Sequence, residues 1–333
     1  MAQATEPIQT PKDGRLGAVL SLIGATVGFG VIPIFLKHFA DTEPKLDAWT
    51  VNGVRYSVGA LFWLPFLLVL DRRPAAAGTG PAPRNVWRDA AVPSIVNVIG
   101  QACFGLSAYY VLASTVGFVI RLSFLFTVLF SLLVLAEERL LAWKPVFWVG
   151  VVLSIAGVAA MFFRQLRGSG EDTWVGAAII VATAVAWGAY AVTVRRYMAA
   201  YSARQSFGVI SIYSSAALVA LMFAFGKFEK LLDLTPDLWA LLMISALIGI
   251  SFGHVLYYRG IHRLGPVVAN GITLLTPFVT YLAAVLVLDE RLSLAELGGG
   301  LLVVGGGGLL VFARGQVEKD LAYPSERGPV PGE

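Results

Sequence analysis

The sequence predicts an all-α integral membrane protein, with ten transmembrane helices laid out as two inverted five-helix repeats. Three observations carry that expectation. The chain is 57% hydrophobic and only 14% charged, with a mean hydropathy of +0.75; a soluble domain would have about a quarter of its residues charged. The apolar residues come in successive blocks of about 20, bounded by charges, glycine or proline, the length that crosses a bilayer as a helix. Finally, one membrane segment and its turn occur twice. Residues 265–291 (GPVVANGITLLTPFVTYLAAVLVLDER) and 117–140 (GFVIRLSFLFTVLFSLLVLAEERL) each open on glycine and run apolar. The first closes on Asp289-Glu290-Arg291, before Leu292, and the second on Glu137-Glu138-Arg139-Leu140. An outer-membrane barrel would show alternating segments of about ten residues instead.

Taken in order, the spans are expected near 16–36, 48–70, 90–112, 118–135, 146–163, 175–194, 207–225, 238–258, 266–288 and 294–312. The fourth and fifth are short. Residues 1–14 read as a cytoplasmic tail, 15–164 as the first repeat, 173–314 as the second, and 315–333 as a disordered cytoplasmic tail. With the N-terminus inside, the inner segments carry about sixteen Lys/Arg, Arg72, Arg73, Arg195 and Arg196 among them, and the outer loops about seven, which places both termini in the cytoplasm. The Pro/Gly/Ala-rich connection DRRPAAAGTGPAPRNVWRD reads as a flexible cytoplasmic linker. The sequence pI near 9.2 reflects basic residues scattered between apolar blocks, a pattern of membrane orientation and not of phosphate binding.

The halves match beyond the opening pair. Phe29-Gly30 then Lys37 parallels Trp187-Gly188 then Arg195. Phe104-Gly105 then Tyr109-Tyr110 parallels Phe252-Gly253 then Tyr257-Tyr258. Gly150, Gly157 and Arg164 parallel Gly300, Gly307 and Arg314. The pairs lie about 150 residues apart in the same order, as duplication produces. Five spans per half is an odd number, so the second copy enters from the opposite side, a device of secondary transporters that puts the substrate site at the repeat interface. The segment 117–138 is about one turn shorter than its partner 265–290 and lacks a counterpart of Pro277.

These features resemble the EamA-type permeases of the drug/metabolite transporter superfamily: two five-helix repeats, Phe/Trp-Gly in the first helix, glycine opening the fourth, and Glu-Arg-Leu at the fourth-to-fifth turn. The resemblance runs from about Leu16 to Arg314. It implies ten transmembrane helices, cytoplasmic termini, a bacterial plasma (inner) membrane location, and movement of small metabolites, often export of amino acids or related compounds. Relatives include sugar-phosphate and nucleotide-sugar carriers, so substrate does not follow from the resemblance.

No catalytic residue, metal site or cofactor is expected. His38, His254 and His262 have no ligand-like partners at short spacing, no Gly-Lys-Ser/Thr phosphate loop is present, and the single cysteine, Cys103, reads as a packing residue. Polar groups inside the spans are the functional candidates, because they are costly in lipid and face a bundle interior or a wet cavity. Ser94, Asn97, Gln101 and Gly105 share a face of the third span, Thr183, Trp187 and Tyr190 of the sixth, Ser251, His254 and Tyr258 of the eighth, and Asn270, Thr273, Pro277 and Tyr281 of the ninth. Asn97, Gln101, Tyr110, Arg121, Trp187, Tyr190, His254, Tyr258, Asn270 and Thr273 are therefore the substrate-binding candidates. Interhelical hydrogen bonding is the structural alternative for the same stripes. Arg55 and Arg121 either snorkel outward or meet a substrate carboxylate, a phosphate or a gating carbonyl. Arg55 and Pro277 are the gating or hinge candidates. No Asp or Glu lies within a span, so proton coupling would run through His254. Glu138-Arg139 and Glu290-Arg291 are expected to cap or pair locally.

The leading expectation is a permease, monomeric or homodimeric, moving a small polar metabolite by alternating access with protons as a possible coupling ion. An organophosphate or nucleotide-sugar carrier, a non-transporting membrane subunit and a membrane-embedded lipid enzyme are the alternatives. Nucleic acid is not an expected partner.

Overall fold

A computed structural model describes residues 12–69, 85–134, 136–168, 171–198, 200–201, 203–264 and 266–322. Everything regular in them is helical. The first half comprises α1 (Lys12–Gly30), α2 (Ile32–Asp41), α3 (Ala48–Val69), α4 (Val86–Ser107), α5 (Ala113–Val119), α6 (Leu122–Val134) and α7 (Pro145–Gly168). The second comprises α8 (Glu171–Tyr197), α9 (Ala203–Phe225), α10 (Pro236–Ala246), a π-helical segment Leu247–Phe252, α11 (Gly253–Leu264), α12 (Pro266–Thr273), α13 (Thr276–Leu288) and α14 (Leu294–Ala322).

Among the described residues, nine helical stretches are long and apolar enough to cross a membrane. The expected second span is the 22-residue α3, which stands outside those nine. Its polar Asn52 and Arg55 are buried. This is a multi-pass membrane protein. Large apolar side chains stand exposed on its outside, Leu16, Leu20 and Ile23 on α1 and Val152 and Ile155 on α7, a surface that lipid covers.

Several boundaries differ from the sequence reading. The fourth span starts at Ala113, five residues earlier than expected, and is interrupted at Ile120–Arg121, so it is not short. Polar Ser114 and Thr115 and the glycine at 117 disguised its opening turn. The first span runs on through α2 to Asp41 after a break at Val31. The C-terminal stretch expected to be disordered is helical as far as Ala322, while 323–333 lie outside the described residues. Pro277 does not kink a continuous helix. It sits in the first turn of α13, after a break at Leu274–Leu275, where a missing N–H costs nothing.

Corresponding helices of the two halves meet antiparallel. In α7 and α14, Gly150 faces Gly306 and Gly157 faces Gly299. In α3 and α9, Trp49 packs on Phe225, Gly53 on Met222 and Trp63 on Phe207. In the fourth and ninth spans, Phe118 packs on Phe278, and Arg121 reaches Thr273. The third span meets the sixth, and the first meets the eighth, in the same opposed sense: Gly100 lies on Trp187 and Gly176 on Val111, while Leu22 lies on Gly260 and Gly28 on Ile248. The main hydrophobic core joins both halves through residues such as Phe118, Phe147, Ile180, Leu242 and Leu310.

One end of the bundle is tied shut by contacts between distant segments. Lys37 Nζ donates to the Ala108 carbonyl at 3.0 Å, and the Tyr109 hydroxyl to that of Leu46. The Lys227 N–H donates to Asp47 at 2.8 Å and Lys230 Nζ to the Lys45 carbonyl at 2.9 Å. Glu290, 7% exposed, accepts from the Ala113 and Ser114 N–H groups at 2.9 Å each and from the Ser114 hydroxyl at 2.8 Å. A local role for Glu290 is therefore corrected: it caps the N-terminus of α5, a helix 176 residues away, where the positive end of the helix favours a carboxylate. Glu138 has its side chain outside the described residues.

Two predictions follow from this packing. A Cβ on Gly157 would lie 2.6 Å from the Gly299 carbonyl oxygen, whereas one on Gly308 meets nothing within 4 Å. Gly157→Ala should cost about 1–3 kcal/mol through forced separation of α7 and α14, and Gly308→Ala should be neutral or stabilising; thermal unfolding in detergent distinguishes them. Glu290→Ala strands two buried N–H groups and should cost about 1–3 kcal/mol, read as a lower unfolding temperature, with Glu290→Gln losing less.

Candidate functional site

Helices from both halves surround a cavity of about 340 Å³ in the middle of the bundle; among the described residues, none of α7 or α14 lines its wall. The wall is built where helices break. At Val31, at Ile120–Arg121, along the π segment and at Leu274–Leu275, the regular ladder stops, and freed carbonyls need donors in a region without water. At Ile120–Arg121 the two carbonyls accept from the Ser123 and Phe124 N–H groups at 3.0 Å each, and the other three breaks find side-chain donors. Thr280 donates to the Gly30 carbonyl at 2.8 Å. Arg121, itself in the break of the fourth span, donates through NH1 to the Thr273 carbonyl at 3.3 Å, where α12 ends. Arg55 NH2 lies 3.5 Å from the Ser245 carbonyl near the end of α10. Within the π segment, Gly249 accepts from His254 Nδ1 at 3.0 Å and Ile250 from Trp63 Nε1 at 3.4 Å. Because a carbonyl only accepts, His254 carries a proton on Nδ1.

The rest of the wall is amide and aromatic. Asn97 Nδ2 donates to the Ser214 hydroxyl at 2.8 Å, and Gln101 lends its backbone carbonyl to Asn52 Nδ2 at 2.8 Å, leaving its side chain to the cavity. Phe104 and Trp187 lie 5.0 Å apart by ring centroid. Phe29 meets His254 edge-on at 5.2 Å, and Phe207 stacks on the same imidazole at 4.2 Å. Tyr56, Tyr190 and Tyr257 add phenol groups. Among the described residues, no Asp or Glu lines the cavity. Among the described residues, no group of His, Cys, Asp or Glu is placed to hold a metal ion.

Of the candidates read from sequence, Asn97, Gln101, Arg121, Trp187, Tyr190, His254 and Arg55 line this cavity together. Tyr110 is not among the residues that line it. It lies in the turn after α4, 41% exposed, with its backbone against Gly176, because α4 ends at Ser107 and the helical phase is lost before it. Thr273 is buried and contributes its carbonyl to Arg121 instead of a side chain to the wall. Pro277 stands next to Thr276, which does line the cavity. The side chains of Tyr258 and Asn270 lie outside the described residues. Arg55 does not snorkel: it is 2% exposed and points inward.

Sequence reasoning missed Phe29, Tyr56, Phe104, Phe207, Tyr257, Thr276 and Thr280. Phe29 was within reach, since Phe29-Gly30 pairs with Trp187-Gly188 in the repeat and Trp187 was a candidate. Tyr257, one residue before the candidate Tyr258, lines the cavity.

The sequence profile described as the EamA-like transporter family matches the chain twice, over 16–163 and 174–312. The chain belongs to the EamA-like transporter family. It is thus a membrane transporter of the secondary type, within the drug/metabolite transporter superfamily. A solved crystal structure superimposes on this EamA chain with a TM-score of 0.57 at 18% identity, covering 90% of this chain and 99% of that one; that likeness shows the fold alone. No curated protein matches the sequence.

The cavity separates wall residues from bystanders in a testable way. Tyr190→Ala and Gln101→Ala should weaken substrate flux or binding by about tenfold, the scale of one lost polar contact or ring. Tyr110→Ala should leave both unchanged. Flux in proteoliposomes, normalised to inserted protein, makes the comparison.

Proposed function

We propose that this EamA-family protein carries a small polar metabolite, an amino acid or a related compound, out of the cell by alternating access around the central cavity. The observation that carries this reading is the cavity itself, walled by both halves at the middle of their spans with amide, guanidinium and aromatic groups. The two halves act as inverted copies. The antiparallel meeting of corresponding helices supports that geometry, since an odd number of spans per copy reverses each one. The ties among residues 37–47, 108–114, 227–230 and 290 close one end of the path and would have to part for the cavity to open there. With the basic loops inside, that end faces outward and both termini face the cytoplasm of a bacterial cell. The repeat units are 15–164 and 173–314. Proton coupling, if used, runs through His254, because among the described residues no carboxylate lines the cavity.

The test is counterflow. Proteoliposomes loaded with unlabelled solute should accumulate the labelled form of at least one member of a panel of amino acids and their deaminated acids, above protein-free vesicles. An imposed pH gradient should drive that uptake only if His254 couples it, and His254→Gln should then abolish the drive while sparing exchange. Exchange of no panel member overturns the reading.

A further inference from the structure

The charge lining the cavity is one-sided. Arg55 and Arg121 both open onto it, each makes a single hydrogen bond to protein, and the Nε of each has no partner. Both bonds go to carbonyls at or near helix ends, Ser245 in α10 and Thr273 closing α12. A helix C-terminus carries only about half an elementary negative charge, so neither guanidinium is neutralised. A buried cation without a counter-ion is costly, and two in one cavity repel each other. Among the described residues, no Asp or Glu in the wall offsets them.

We propose that the missing counter-charge comes with the substrate: the carried solute is a net-negative organic acid with a flat apolar body, an aryl carboxylate in place of a zwitterion or an amine. This rests on the cavity being the substrate site. The carboxylate takes the planar N–H forks of the guanidiniums, a match that an ammonium cannot make. The body lies among the aromatic residues Phe29, Phe104, Trp187 and Tyr190 that line the cavity. Those rings also offer an amine a cation–π contact, but within a cavity that already holds two fixed positive charges. The amino group of a zwitterion therefore weakens binding where its carboxylate strengthens it.

Three compounds with one body and different charge test this: indole-3-acetate, tryptophan and tryptamine. Binding to the purified full-length protein is read by the rise in unfolding temperature. Indole-3-acetate should stabilise the protein at concentrations at least about tenfold below those needed for tryptophan, the scale of a charge-assisted hydrogen bond, and tryptamine should not stabilise it at all. Arg121→Gln should abolish the preference for the anion, Arg121→Lys should keep part of it, and Arg55→Gln provides an independent second variant should Arg121→Gln fail to yield monodisperse protein. Equal or tighter binding of tryptophan or tryptamine, binding by none of the three, or an anion preference that survives both glutamine variants overturns the proposal. Counterflow of a neutral amino acid with no anion preference would overturn this inference and leave the transport reading standing; absence of counterflow by any solute would remove the transport reading itself.

Discussion

A peptide carbonyl released from its helix in the middle of a membrane must be met by a donor within the protein. This constraint organises the molecule. Four of its spans are broken, and at three of the breaks a side chain from another span donates: Thr280 for Gly30, Arg121 beside the local Thr276 hydroxyl for Thr273, and Trp63 for Ile250. The Thr280, Arg121 and Trp63 bonds join the first half to the second. Interrupting a helix supplies the polar wall of a cavity, and mending the interruption from the other half holds the two halves in register. The arginines are tolerated for the same reason. A guanidinium needs acceptors that lipid cannot give, and the ends of α10 and α12 provide them.

Around that centre the helices divide their labour. In α7 and α14, paired glycines bring the backbones close enough that a methyl group would collide with the opposing carbonyl, and among the described residues none of either helix lines the cavity. They form a strut of close-packed small residues, the way helices associate where there is no hydrophobic force to drive them together. The remaining spans carry the larger aromatic and amide groups inward. Glu290 holds the fourth and ninth spans together at one end through the N-terminus of α5, which leaves the rest of each span free to break at mid-depth.

Much of the site was legible because polar residues in an apolar helix stand out singly. Asn97 and Gln101 on one face of α4, Trp187 and Tyr190 on one face of α8, and His254 alone on the eighth span needed only helical spacing to be grouped. Tyr110 and Tyr257 show where that reasoning ends. Both belong to the same repeated Phe-Gly…Tyr-Tyr motif, yet α4 stops at Ser107 before reaching Tyr110, while α11 continues through Tyr257 and keeps it in phase with the wall. Pro277 reads as a hinge candidate, and it stands in the first turn after a break in the ninth span; a proline in that place looks the same in sequence as one that bends a continuous helix. The break at Arg121, with no proline, left only the charge itself as a signal.

The order of apolar blocks, their repetition and the sidedness of the basic loops are properties of the chain alone: crossing lipid depends on length and hydropathy, and duplication leaves its mark in residue types at equal spacing. What lies opposite what depends on contacts between segments about 150 residues or more apart, for which local spacing carries no information. Only the folded bundle could place Glu290 on the α5 N-terminus, turn Arg55 inward instead of toward the membrane surface, and bring two guanidiniums into one cavity.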